Sequence, residues 1–182
     1  MKRLFTIILL SLSVLVITSG CALTIKPAAT KSGKAYYESF LTEEGTMYFI
    51  KPIKFESSDK SNELFVDFTF KPQTESPDTA AINLSIKGDD ILKTIDRITF
   101  SNSGSEVSLE DITLLFNEKK DKKITSRFSA KCPTSKLIPI MGDSNIQIKI
   151  TKKDSSSAIL FLPNKSSQKT IRTLNENLYI LF

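Results

Sequence analysis

A strict alternation of apolar and polar residues constrains this chain more than any other feature. Between Glu63 and Lys71, Leu64, Val66, Phe68 and Phe70 fall on one side, with Asp67, Thr69 and Lys71 on the other. Ile82, Leu84 and Ile86 alternate with Asn83, Ser85 and Lys87, and Ile146, Ile148 and Ile150 with Gln147, Lys149 and Thr151. Successive side chains of a strand point to opposite faces, so each segment predicts a strand buried on one face and wet on the other. Residues 46–55, 94–100, 112–117, 124–130 and 157–162 read as further strands. Pro52 has no amide proton for a ladder, which makes 46–55 an edge or bulged strand.

Turn-forming breaks separate these segments: Ser57–Asn62, Pro72–Asp78, Gly88–Asp90, Ser101–Ser105, Glu118–Lys123 and Lys152–Ser156. Such short gaps suit antiparallel hairpins and leave no room for the helical crossovers of a parallel sheet. Strands with one apolar face must bury it against a second layer. The expectation is therefore a mainly β domain, an antiparallel two-sheet β-sandwich (immunoglobulin-like or similar), with an open barrel as the alternative. At the C-terminus the period changes. Ile171, Leu174, Leu178 and Leu181 form one apolar stripe, which predicts a short α-helix packed on the sheet, capped by Asn164 or Ser166 after Pro163. Residues 177–182 could instead finish as a strand.

Composition narrows the chemistry. The chain has no His, which removes most imidazole metal sites and the commonest general base. Two S-x-x-K spacings occur, Ser57–Lys60 and Ser166–Lys169, but the companion motifs of serine acyl-transfer enzymes are missing, and Asp143-Ser144-Asn145 has the wrong order. Glu43-Glu44, Asp89-Asp90 and Glu110-Asp111 are adjacent acids, and neighbours on a strand point apart, which suits solvated turns better than paired catalysis. No D-x-D-x-D-G calcium loop is present. No catalytic residue, cofactor or metal ligand is assigned. Lys119, Lys120, Lys122 and Lys123, with Glu118 and Asp121, form a charged hairpin tip. Tyr36 and Tyr37 are the only adjacent aromatic pair of that kind, too little for a sugar-binding platform.

The N-terminus follows different rules. Met1-Lys2-Arg3 is basic, Leu4–Ile17 is apolar apart from Thr6, Ser11 and Ser13, and small residues Thr18, Ser19 and Gly20 lead into Cys21. A basic start, a short apolar run and small residues before a cut describe a secretory signal. The run is shorter than the roughly 20 residues of a spanning helix. With a cysteine directly after the cut, this segment resembles the signal peptide of bacterial lipoproteins, although Thr18 stands where that family usually has Leu. The resemblance covers Met1 to Ala22. It implies cleavage between Gly20 and Cys21, diacylglycerol on the Cys21 sulfur and a fatty acyl chain such as palmitate on the new amine. Residues 21–34 then read as a lipidated cysteine and flexible tether, and 35–182 as a single β-rich domain.

Removal of Lys2 and Arg3 with the signal leaves 23 basic against 20 acidic residues, a net charge of +3, too weak and scattered to argue for nucleic acid. Cys132 is then the one remaining cysteine, expected as a buried thiol. The resulting expectation is a membrane-anchored envelope protein. Its work would be non-catalytic: binding or assembly with another envelope protein or a surface ligand. An envelope hydrolase using loop Asp or Glu, or a purely structural envelope component, are the alternatives. In Gram-negative lipoproteins Ala22 after the cysteine would permit the outer membrane.

Overall fold

All eight alternating segments form strands. A computed structural model describes residues 34–41, 45–72, 79–153 and 157–182, within one unit spanning Lys34–Phe182. In chain order the strands are β1 (Tyr36–Leu41), β2 (Gly45–Ser57), β3 (Glu63–Phe70), β4 (Thr79–Gly88), β5 (Ile95–Ser101), β6 (Glu106–Leu109), β7 (Thr113–Lys120) and β8 (Lys123–Pro133). Helix α1 (Thr134–Met141) follows, then β9 (Gln147–Lys152), β10 (Ala158–Pro163), helix α2 (Lys165–Asn177) and a 3-10 turn at Tyr179–Leu181.

The strands join in one antiparallel ten-stranded sheet, in the order β6-β5-β9-β10-β2-β3-β4-β8-β7, with β1 also paired to β2. This corrects the expected two-sheet sandwich. The sheet curls into a half-barrel, so its own curvature supplies the layer that a second sheet would have given. Strand β2 makes this continuity possible. Its first half pairs with β1 and β3, its second half with β10 and β3, and the register shifts between Ile50 and Ile53. The irregularity falls on Lys51 and Pro52, where the missing amide proton interrupts the ladder.

Phe55, Leu64, Val66, Ile82, Leu84, Ile98, Phe100, Ile148, Ile150 and Phe161 are fully buried on the inner face of the curl. Helix α1 packs against β4 and β8 from one limb of the sheet and β5 and β6 from the other. It forms despite Pro139, because Leu137, Ile138, Ile140 and Met141 are all buried and their burial offsets the lost helical hydrogen bond. Helix α2 packs on β2 and β10, burying Ile171 and Leu174. Asn164 caps it, its side chain accepting from the Ser167 amide at 3.0 Å, while its amide group donates to Glu56 Oε1 at 3.2 Å. The Ser167 hydroxyl donates to the Lys54 carbonyl, so the helix start is tied to β2 twice. Leu178 is buried as expected, but Leu181 is exposed because the 3-10 turn ends the helical stripe. Tyr179 and Phe182 instead cap an aromatic cluster on the inner face: Phe182 lies 5.4 Å from Tyr48 and 5.6 Å from Phe70, and Tyr179 6.4 Å from Phe68.

The outer face carries polar networks. Arg127 donates to Asp67 at 3.0 Å and to Ser85, and Asn83 donates to the same Asp67 oxygen at 3.0 Å, joining β3, β4 and β8. Lys54 bridges Glu63 at 2.6 Å and Glu56 at 3.1 Å, and these hydrogen bonds raise its pKa. Among the described residues no helix is long and apolar enough to cross a membrane.

Candidate functional site

Gly20 and Cys21, the residues singled out for cleavage and lipid attachment, lie outside the described residues, as do most of the tether and Glu43-Glu44. The other sequence candidates are dispersed. Ser57 is buried at the end of β2, where its hydroxyl donates to Asp59 Oδ1 in the following turn at 2.6 Å. Asp59 also accepts from the Ser61 amide at 3.1 Å, and these hydrogen bonds, led by that of Ser57, hold its carboxyl down at about 2. This first S-x-x-K spacing is therefore a turn-forming cluster. The second lies on α2 with Ser166 and Lys169 both exposed. Asp89 pairs with Lys123 at 2.9 Å and Glu110 with Arg97 at 2.9 Å, so the two acid pairs serve separate surface contacts. Among the described residues no group of three or more Cys, Asp or Glu converges as a metal site. Tyr36 and Tyr37 point to opposite faces: Tyr36 packs 6.1 Å from Tyr48, while Tyr37 lies under the Lys51 ammonium at 4.5 Å.

A shallow polar depression of about 460 Å³ lies between the end of α1, the β5–β6 turn and α2, lined by Asn102, Asp143, Ser144, Arg172 and Asn175 among others. Asp143 there accepts from the Asn145 amide at 2.8 Å, an ordinary local turn.

Cys132 is buried on the inner face of β8, and burial pushes its thiol up to about 11 against a weaker opposing pull from Lys136. The ordinary thiol value is about 8.5. A raised folded value means stability that is complete below the ordinary pKa and is lost as pH rises toward 11. At pH 8.5 a water-soluble disulfide reagent should leave Cys132 unmodified in the folded protein and titrate it within seconds in denaturant. Rapid modification without denaturant would contradict this burial.

One exposed sheet edge is that of β7. Strand β7 pairs only with β8, so alternate amides and carbonyls along it point away from the sheet. Its register shifts between Leu114 and Phe116, leaving Leu115 as the extra residue of a bulge. Before the bulge Leu114 faces inward beside Phe128; after it Phe116 turns outward beside Arg127. Residues 115–120 are consecutively exposed, with Leu115 at 50% and Phe116 at 45%. The Lys119–Lys123 tip closes the hairpin through Asp121, which takes a positive φ of 57°. Alternation placed a strand here, but the successive apolar residues Leu114-Leu115-Phe116 do not say which of them face outward, so the exposed pair was not foreseen. No protein-family model, no curated protein and no solved structure matches the chain.

Proposed function

We propose that this chain is a lipid-anchored protein of the bacterial envelope, and that its domain is a non-catalytic binding or assembly module which takes an extended protein segment along the β7 edge. The N-terminal residues through Cys21 supply the anchor in this reading, with Ala22 compatible with the outer membrane of a Gram-negative cell. A sequence-encoded tether of thirteen residues from Ala22 to Lys34 reaches at most about 45 Å, enough to lift the domain off the headgroups and no further. Partners are thus proteins of the same membrane surface or its immediate layer.

The observation that carries the binding role is the eight-residue β7 edge with two exposed apolar side chains at its centre. Sheet edges accept added strands: backbone hydrogen bonds contribute affinity, and side chains at alternate positions select the partner. A photo-crosslinking residue placed at Phe116 in intact cells tests the edge, with one at Lys149, exposed in mid-sheet, as the comparison. Protein adducts at 116 and not at 149 are expected. Equal yields at both positions, or none at 116, would refute edge docking.

A further inference from the structure

The four tyrosines of the chain gather at one end of the sheet, and charged residues occupy the other. At the charged end Glu56, Glu63 and Lys87 follow one another across β2, β3 and β4, and the lysine-rich β7–β8 tip closes just beyond the pairing of Ile124 with Gly88. At the opposite end Tyr36 and Tyr37 pair with Ile50 and Phe49, Tyr48 stands opposite Phe70, and Tyr179 packs on Phe68. Strand β3 stops at Phe70, but β1 and β2 run on together to Leu41 and Gly45 as a projecting hairpin. Glu38 is paired with Tyr48 and shares its face, so Phe40 lies on that face too, about 7 Å farther out. Phe40 is 79% exposed. The 3-10 turn directs Tyr179 and Phe182 toward the aromatic cluster and leaves Ile180 at 76% and Leu181 at 66% exposed. Large apolar groups gathered in this way mark a protein or membrane contact. Tyrosine, apolar in its ring and polar at its tip, suits a boundary between lipid and water.

We infer that this aromatic end of the domain rests on the bilayer, with Phe40, Ile180 and Leu181 entering the headgroup layer of the membrane that holds the anchor. This rests on the reading of Cys21 as the site of lipid attachment. The length of chain before β1 names the occupant. The tether ends at Lys34, two residues before the strand that carries Phe40. From Lys34 to Phe40 an extended chain covers about 20 Å, well inside the tether's reach of roughly 45 Å. A tethered face meets the bilayer as an intramolecular partner, so side chains too few to hold the chain by themselves suffice to orient the domain. Acids lie beside the patch: Glu38 pairs with Lys34 at 3.7 Å, and Glu43 and Glu44 follow in sequence. Attraction to anionic headgroups is therefore not the source of the contact; apolar insertion is. The same orientation turns the lysine-rich tip away from the lipid.

The test places a photo-crosslinking residue at Phe40 or Ile180 of the full chain in intact cells, with one at Lys122, exposed at the charged tip, as the comparison. Mass spectrometry reads the peptides that acquire a phospholipid. Yields at 40 and 180 about tenfold above that at 122 are expected. Adding Phe40→Glu should lower the yield at 180 about tenfold, since it sets a charge where an apolar ring had entered the headgroups. Phe40 is exposed, so this variant should keep its parent's melting temperature. Equal phospholipid yields at all three positions would mean that the tether leaves the domain unoriented, and protein adducts in place of lipid at 40 and 180 would mean a protein-docking face. Either result overturns the inference. The N-terminal peptide of the same samples separates this contact from the anchor. A lipidated Cys21 without phospholipid adducts at 40 and 180 removes the resting face alone, whereas an unlipidated Cys21 removes the anchor and the inference built on it.

Discussion

Truncating Phe55 to alanine is expected to lower the unfolding free energy by about 3–5 kcal/mol, a large share of the roughly 5–15 kcal/mol typical of a domain. Phe55 has no exposed surface and lies near the C-terminal end of the longest strand. Its neighbours across the ladder are Leu64 on β3 and Pro163 on β10, and α2 packs over the same two strands, β2 and β10. The cavity would open where the strand order passes from one limb of the sheet to the other, and collapse there is resisted by hydrogen-bonded backbone on both sides. Phe116→Ala, by contrast, removes a half-exposed ring from the outer edge and should change stability by no more than about 0.5 kcal/mol in the isolated chain. Urea titration of both variants measures the difference. Comparable losses for the two would mean that the inner and outer faces are assigned wrongly.

Replacing Cys21 with serine is expected to have the largest effect on location. In the proposed anchor, each buried methylene contributes about 0.8 kcal/mol, so two or three acyl chains hold the domain stably where one would hold it marginally. Serine offers no thioether for the diacylglycerol. The variant should therefore accumulate with residues 1–20 uncut, or appear in the soluble fraction if another protease removes them. Fractionation of cells expressing either form reads the outcome directly. A Cys21→Ser protein of mature size that stays in the membrane fraction would place the attachment elsewhere, for instance in contacts made by the exposed Phe40, Ile180 or Phe182.

How far the fold could be read in advance depended on the length and regularity of each segment. The Leu64–Phe70 alternation is long and uninterrupted and became β3 nearly residue for residue, while the Ile82–Ile86 alternation is the core of β4, which begins three residues earlier at Thr79. Pro52 marked the break in β2 for a local reason, its missing donor, and Asn164 marked the start of α2 for another, its capping oxygen. Strand β1 was missed because Tyr36 and Tyr37 stand side by side and blur the period, and β6 because four residues are too few to show one. Helix α1 was hidden by Pro133 and Pro139, which locally argue against helix; burial of Leu137, Ile140 and Met141 overrides them. The choice between two sheets and one curled sheet is not written in alternation at all. That pattern says which face is buried, and leaves open whether another sheet or the same sheet's far limb covers it. The same holds for the proposed docking edge, since exposure of Phe116 accompanies a bulge at Leu115.

The measurement that bears most directly on the account is the mass of the N-terminal peptide of the mature protein, purified from membranes of cells expressing the unaltered chain. The expected peptide begins at Cys21 and carries the added mass of a diacylglyceryl group, with or without a further acyl chain on its amine. A peptide that begins elsewhere, or one that begins at Cys21 with a free thiol, would contradict the anchor and with it the assignment of this domain to a membrane surface.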